Sequence, residues 1–246
     1  MLFMRLMMYF VTPSRQGFYC NDKWIRRELR DHTVSVRHVV IGSLIVPALV
    51  VPFSEAFFVR NHKPDGHRLV KWFTNGTGLV VEFFLGFFVK VVLMEVGKCY
   101  FGRLRPNFLS MCRPDWSSID CSSETNFVAE FKCTSGAHHD RVSKGSFPSG
   151  HSAAAVYAIT FLFFYLRLVQ SALRGCRPSV IDTFERFRKV LLVVFGVWVC
   201  VVMVTRVTDG WHFVSDVAGG VVLGASVGFA FFGIVDVEKE IADRLS

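Results

Sequence analysis

The chain has 246 residues, of which 52% are hydrophobic and 26 are phenylalanine, and its mean hydropathy is +0.39. A soluble domain of this length cannot bury so much apolar surface in one core, so the composition excludes an ordinary soluble protein. The net charge of +8 suits anionic lipid or phosphorylated ligands. No zinc-ligand spacing, Gly-rich phosphate loop or basic helix in the sequence indicates a nucleic-acid partner.

Apolar segments dominate the predicted elements. The first, residues 1–13, is shorter than the about 20 residues that a bilayer span takes, so it indicates either the remnant of a longer first helix or a hydrophobic lead-in. Five further segments approach spanning length and lack the alternation of barrel strands. We therefore expect one membrane-embedded domain over residues 1–246, an all-α, multi-pass helical bundle. The five segments are 38–59, 78–97, 152–168, 190–207 and 213–235.

Alternation of these spans brings three polar clusters to one side of the membrane, called here the motif face. The end of 78–97, the start of 152–168 and the turn before 213–235 lie there because successive spans run in opposite directions. Lysine and arginine counts do not decide which side this is. Five of the seven cysteines also lie on the motif face, and such a thiol cluster is typical of an oxidising compartment. We expect this face to lie outside the cell or in a lumen, with the cysteine pairing left open. The five are Cys20, Cys99, Cys112, Cys121 and Cys133.

The first polar cluster contains Lys98 and Arg105. Positions seven apart lie on one face of a helix, two turns from each other, and Pro106 disfavours helical geometry at Arg105. Two cations that point the same way can clamp a tetrahedral anion, with arginine offering two parallel hydrogen bonds. Contact with lipid headgroups is the simpler explanation of this cluster when it is taken alone.

The second cluster is the sequence 147–152, directly before the third full span, with Ser149, Gly150 and His151 at its centre. Gly150 lets the backbone approach a ligand closely, and the free N–H groups at a helix start favour phosphate. His151 is a candidate proton donor. An ordinary helix cap would explain the serines, but it leaves the histidine unexplained.

The third cluster, 205–216, contains Arg206, His212 and Asp216. His212 and Asp216 are four residues apart, which makes them neighbours on one helix face. A carboxylate on one ring nitrogen fixes the tautomer and leaves the other nitrogen free to attack, while Arg206 adds a third cation. The alternative is an interfacial histidine with an acidic neighbour by chance.

Taken together, the three clusters resemble the three-part signature of the type 2 phosphatidic acid phosphatase superfamily in order and in spacing. The resemblance extends to the lipid phosphate phosphatase branch of that family. Residues 17–22 are similar to its first outer loop, and 112–116 with Cys121 and Cys133 are similar to its loop between the first two motifs. The matching patterns are Lys98-x6-Arg105-Pro106, Pro148-Ser149-Gly150-His151 and Arg206-x5-His212-x3-Asp216.

This resemblance implies a six-helix membrane enzyme that hydrolyses phosphate monoesters of lipids, such as phosphatidate, lysophosphatidate and sphingosine 1-phosphate, with no metal or other cofactor. His212 would be the nucleophile that forms a phosphohistidine, oriented by Asp216. His151 would protonate the leaving alcohol and then activate water. The phosphoryl oxygens would be held by Lys98, Arg105, Arg206, Ser149 and Gly150.

The chain departs from the family at its start, where a full first helix is not visible. The sequence is therefore compatible with a shortened first helix or with five helices. Two rival functions stay open: a phosphatase for a soluble phosphate ester or polyprenyl diphosphate, and a non-catalytic membrane scaffold. We expect a multi-pass protein of the plasma membrane or an endomembrane, with lipid phosphates and the bilayer as partners, and a homo-oligomer is compatible with the sequence.

Overall fold

The structure is a computed structural model that describes residues 16–61, 66–173 and 176–234. The predicted first segment, 1–13, lies outside the described residues. In chain order the helices are α1 (Val36–Val40), α2 (Val46–Asn61), α3 (Gly66–Phe101), α4 (Phe108–Cys112), α5 (Ala137–Ser143), α6 (Gly150–Ala172), α7 (Pro178–Thr208) and α8 (Val214–Ile234).

Long helices account for most of the described chain, and α1 runs into α2 through a π-helical turn at Ile41–Ile45. The predicted span at 78–97 lies within α3, where Glu82, Lys90 and Glu95 interrupt the apolar sequence. The predicted all-α, multi-pass membrane bundle is confirmed. Four described helices are long and apolar enough to cross a membrane, namely Val36–Phe58, Gly150–Ala172, Pro178–Thr208 and Val214–Phe232.

The central helix of the bundle is α6, which packs against every other long helix. Its closest neighbour is α8, because glycines of α8 face its backbone. A Cβ atom on Gly220 would lie 2.5 Å from the Ser149 carbonyl oxygen, and one on Gly224 would lie 2.5 Å from that of Ala153. No side chain fits at these positions, so the two helices meet backbone to backbone. This approach places the start of α6 beside the start of α8.

A small layer covers the motif face of the bundle, and we call it the cap. It consists of residues 16–35 and 102–146, joined by the antiparallel strands β1 (Phe18–Tyr19) and β2 (Phe127–Val128). Strands of two residues carry no sequence pattern, so this pairing was not predicted. The cap has its own apolar core, separate from that of the bundle. Its buried members include Phe18, Ile25, Leu104, Phe108 and Val128.

Two disulfides close the cap. Cys20 is bonded to Cys121, and Cys112 is bonded to Cys133. Of the five cysteines assigned to the motif face, only Cys99 is free within the described residues, and it is buried. The pairing that the sequence left open is thereby decided by which loop segments the cap brings together.

Candidate active site

The three predicted clusters lie together between the cap and the ends of α3, α6 and α7. The start of α6 supplies the second cluster. Ser149 caps this helix, accepting hydrogen bonds from Ser152 N at 3.5 Å and Ser152 Oγ at 3.0 Å. The Ser149 N–H donates to the Asp216 carbonyl oxygen at 2.9 Å, which ties the second cluster to the third. The first N–H groups of this 23-residue helix have no partner within the helix and suit an anion.

Lys98, at the end of α3, lies beside the same helix start. Its Nζ atom is 3.9 Å from the position that a Cβ atom on Gly150 would occupy, and a side chain there would collide with Met94. The absence of a side chain at Gly150 thus keeps the ammonium group close to the backbone. Lys98 is held by Glu95, whose Oε1 lies 2.9 Å from Nζ. The sequence reasoning did not include Glu95 in the site.

Arg105 belongs to the cap and is held through backbone carbonyl groups. Its Nε donates to the Val142 oxygen at 2.7 Å, Nη2 to that of Gly145 at 3.1 Å, and Nη1 to that of Trp211 at 3.4 Å. The side chain is buried, and this burial lowers its pKa to about 10, so it remains charged at neutral pH. Three of its five N–H donors are used, which leaves two for a ligand.

Arg206, near the end of α7, is fully buried and has three identified partners. Its Nη2 donates to the Val34 carbonyl oxygen at 2.8 Å and to Asp209 Oδ2 at 3.2 Å, and its Nη1 lies 2.8 Å from His32 Nδ1. The Nε–H group is buried and has no hydrogen-bond partner in the described part of the chain. A buried donor of a charged group normally has a hydrogen-bond partner. Because the described residues supply none, this N–H can donate to a bound ligand.

His212 lies in the turn between α7 and α8. Its Nδ1 atom is 2.7 Å from the Ser146 carbonyl oxygen. A carbonyl oxygen only accepts, so Nδ1 carries the proton and Nε2 carries the lone pair. The side chain is buried, and burial together with the positive charge of Arg105 lowers its pKa to about 4. His212 is therefore neutral at pH 7, in the tautomer whose Nε2 is free.

The two shortest contacts of the Asp216 carboxylate are with Ser146 and Arg103, which were not predicted from the sequence. Its Oδ2 accepts from Ser146 Oγ at 2.5 Å, and its Oδ1 accepts from Arg103 Nη1 at 2.7 Å. The same Oδ2 lies 3.7 Å from His212 Nδ1. Because α8 begins at Val214, His212 precedes the helix and does not sit directly above Asp216 in it. The carboxylate holds Ser146, whose carbonyl group in turn orients the His212 ring.

His151 lies in the first turn of α6. Its Nε2 is buried and has no hydrogen-bond partner among the described residues. The ring lies parallel to that of His32, with 6.1 Å between ring centroids. An imidazole nitrogen free of protein partners is what a proton donor to a leaving group requires.

All eight residues that the sequence singled out belong to this one cluster. The sequence missed residues of two kinds. Arg103, Ser146 and His32 contact a predicted residue far from them along the chain, whereas Glu95 and Asp209 contact one three positions away. Arg103 lies inside the first motif, Ser146 just before the second and Asp209 inside the third cluster, so position could have pointed to all three, whereas no local pattern marked His32. The missed residues with the closest contacts are Arg103, Ser146, His32, Glu95 and Asp209.

Known proteins are similar in sequence to this chain over most of its length. The PAP2 superfamily model matches residues 79–240. Phospholipid phosphatase 2 of Bos taurus is 35% identical over 221 residues, covering 88% of this chain and 71% of that protein. Phospholipid phosphatase 1 of Rattus norvegicus is 29% identical over 220 residues, covering 88% and 73%.

One solved structure is also similar. It is described as the crystal structure of the first transmembrane PAP2 type phosphatidylglycerolphosphate phosphatase from Bacillus subtilis. The similarity covers 82% of this chain and 74% of that chain, with 21% identity and a TM-score of 0.40.

Proposed function

The chain belongs to the PAP2 superfamily, and we propose that it is a membrane phosphatase that hydrolyses phosphate monoesters of lipids through a phosphohistidine intermediate. Two observations support this substrate class. The relatives that it matches over 88% of its length are named phospholipid phosphatases, and the cluster lies at the ends of helices long enough to cross a membrane. A phosphate group carried by a lipid would reach the cluster from the bilayer surface.

One hydrogen bond carries the assignment of the nucleophile. Because Nδ1 of His212 donates to the Ser146 carbonyl oxygen, Nε2 holds a lone pair in a neutral ring. In the first step Nε2 attacks phosphorus, an N–P bond forms, and the P–O bond to the lipid alcohol breaks. His151 in its protonated form gives a proton to the leaving oxygen. The phosphorylated imidazole is cationic, and the Asp216 carboxylate at 3.7 Å stabilises it.

In the second step His151, now neutral, takes a proton from a water molecule whose oxygen attacks phosphorus. The N–P bond breaks, its electron pair returns to His212 Nε2, and inorganic phosphate leaves. The equatorial phosphoryl oxygens would be held by Lys98, Arg105 and Arg206 with the N–H groups at the start of α6. Fixed cations of this kind supply the charge stabilisation that phosphoryl transfer needs, so we propose that the reaction requires no metal.

Phosphate release from phosphatidate tests this mechanism. The purified full chain in detergent, with EDTA present, is expected to release phosphate, whereas His212→Asn is expected to show only background release. His138→Asn serves as the matched control, because His138 is an exposed histidine on α5 of the cap. Brief reaction with ³²P-labelled phosphatidate should leave acid-labile label on the wild-type protein. Release by His212→Asn at the wild-type rate, or a strict requirement for Mg²⁺, would contradict the mechanism.

The substrate class is tested separately by comparing phosphatidate and sphingosine 1-phosphate with p-nitrophenyl phosphate. We expect the two lipids to give the higher kcat/KM, because their tails hold the phosphate at the end of the helices. Equal or better turnover of the water-soluble ester would favour a soluble phosphate as the natural substrate.

We also propose that the cap and the site face the exterior or a lumen. The two disulfides of the cap support this orientation, because such bonds persist in oxidising compartments. A cysteine introduced at the exposed Ser123 is expected to react with a membrane-impermeant maleimide in intact cells. Reaction only after permeabilisation would reverse the orientation.

A further inference from the structure

The segment between β1 and α1, residues 20–35, crosses the site, and we call it the strap. Its far end is fixed by the Cys20–Cys121 disulfide. Near the site, the Thr33 hydroxyl and N–H donate to the two Asp209 carboxylate oxygens at 2.8 and 2.9 Å. The strap lies outside the region 79–240 that the PAP2 superfamily model matches. Its contribution to the site is therefore a feature that the family match does not describe.

Two strap residues contact Arg206, Val34 through its carbonyl oxygen and His32 through its side chain. The His32 Nδ1 atom lies 2.8 Å from Arg206 Nη1. A guanidinium group only donates, so His32 Nδ1 must present its lone pair, with the proton on Nε2. The His32 ring also stacks on Trp211, with 3.9 Å between centroids, and lies parallel to His151 at 6.1 Å. One neutral imidazole thus contacts Arg206 and borders the proposed proton donor.

We propose that His32 is a positioning residue of the phosphate site, whose neutral imidazole fixes the Arg206 guanidinium so that its remaining N–H donors meet the phosphoryl group. This inference rests on the proposed function of the cluster. The fully buried Arg206 has its Nη2 bound to Val34 and Asp209, and His32 holds Nη1 from the other side. Without that third contact the guanidinium can rotate. Its Nε–H, which has no partner among the described residues, is then no longer held toward the phosphoryl group.

The same contact makes the site sensitive to acid. Protonation of His32 at Nδ1 would place one N–H donor against another and a positive charge beside Arg206, so the contact would break. Burial and the charges of Arg206 and Arg105 lower the pKa of His32, which keeps it neutral at pH 7. Phosphate affinity is therefore expected to fall as the pH drops below the lowered pKa of His32. The titratable and charged groups that face His32 are Arg206, Asp209, Arg105, His151 and Asp31.

Two substitutions separate the acceptor from the ring. His32→Asn keeps an acceptor near the Nδ1 position, whereas His32→Phe keeps a ring that can stack on Trp211. The Kd of inorganic phosphate is measured by the protection that phosphate gives the full chain in detergent against thermal unfolding, which needs no turnover. His32→Phe is expected to raise this Kd by about tenfold or more, since it removes a buried hydrogen bond to a charged group. His32→Asn should stay within about threefold of the wild type.

His138→Phe, on the exposed face of α5, is the matched control and should bind phosphate as the wild type does. Wild-type affinity in a folded His32→Phe protein would overturn the proposal. Equal losses in both His32 variants would also overturn it, because the acceptor that His32→Asn retains would then not account for the phosphate affinity. Tight phosphate binding by a wild-type protein that does not hydrolyse phosphatidate would count against the proposed function alone.

The pH dependence gives a second measurement that does not need the Phe variant to fold. The ratio of the wild-type Kd to the His32→Asn Kd cancels the ionisation of phosphate itself. This ratio is expected to rise as the pH falls below 6.5, because only the wild type loses its acceptor. A ratio that stays constant down to the pH at which the protein unfolds would overturn the acid sensitivity that we assign to His32.

Discussion

The bundle holds its part of the site by apolar packing, whereas the cap holds its part by individual hydrogen bonds and disulfides. Ser149 and His151 are placed by α6, which is fixed by its backbone contact with the glycines of α8. Arg105, in contrast, is placed by three carbonyl groups, and Arg103 by one carboxylate and one hydroxyl. Apolar packing distributes the stabilising free energy over many contacts. A hydrogen bond, in contrast, is lost as soon as its one donor or acceptor atom is removed.

This contrast predicts that substitutions in the cap lower activity without unfolding the bundle, and that substitutions in the bundle lower stability. The largest effect is expected for Arg105→Lys. A lysine cannot reproduce the planar donors that three carbonyl groups now hold, so the positive charge would be displaced. We expect kcat/KM for phosphatidate to fall by roughly 10²- to 10³-fold, the size typical for a lost transition-state donor.

Arg141→Lys is the matched control for Arg105→Lys, because Arg141 is an exposed arginine of the same cap. Both variants should unfold at about the wild-type temperature. Arg105→Lys with activity close to that of Arg141→Lys would show that the carbonyl contacts are not needed to place the charge.

The next effect concerns the cap disulfide between Cys112 and Cys133. The double substitution Cys112→Ser with Cys133→Ser is expected to destabilise the cap by about 2–4 kcal/mol, because the unfolded cap gains freedom. Proteolysis should then cut within 113–132 more rapidly, while the helical circular dichroism of the bundle is retained. Cys200→Ser, at a free cysteine of α7 outside the cap, should change neither quantity. Loss of helical signal together with the cap would contradict the separation of the two layers.

A smaller effect is expected from Gly224→Ala in the bundle. The added Cβ would meet the Ala153 carbonyl oxygen at 2.5 Å, so α8 must move away from α6, at a cost of about 1–3 kcal/mol. Thermal unfolding in detergent measures this loss. Gly196→Ala, on α7, is the control, because no described heavy atom beyond its own turn of helix lies within 4 Å of its added Cβ. Equal unfolding temperatures for the two variants would mean that α6 and α8 are not in close backbone contact.

The smallest effect is the pH dependence contributed by His212. Burial lowers its folded pKa to about 4 from an unfolded value near 6.5, so between these values the unfolded chain binds a proton that the folded chain does not. Stability should therefore fall as the pH drops through this window, by at most about 1.4 kcal/mol per pH unit. His212→Asn removes this contribution, and its unfolding temperature should change less between pH 6.5 and 5.5. Parallel curves for the two proteins would show that His212 is not buried in its neutral form.

Sequence features predicted the spans and the three polar clusters because both depend only on the order of neighbouring residues along the chain. Apolar length predicts a membrane helix, and alternation of spans alone brought Lys98, His151 and His212 to one face. Local spacing was less informative for Asp216. Four residues separate it from His212, but α8 begins between them, so its shortest contacts are with Arg103 and Ser146.

The sequence by itself determined a helical membrane protein with the residues of three polar clusters in order, since length, apolarity and motif spacing are properties of neighbouring residues. Only the tertiary structure decided the partners: the disulfide pairs of the cap, the Ser146 carbonyl group at His212, and His32 at Arg206. The last of these contacts joins residues 174 positions apart. No local pattern encodes such a pair, because the two residues become neighbours only when the cap is folded onto the bundle.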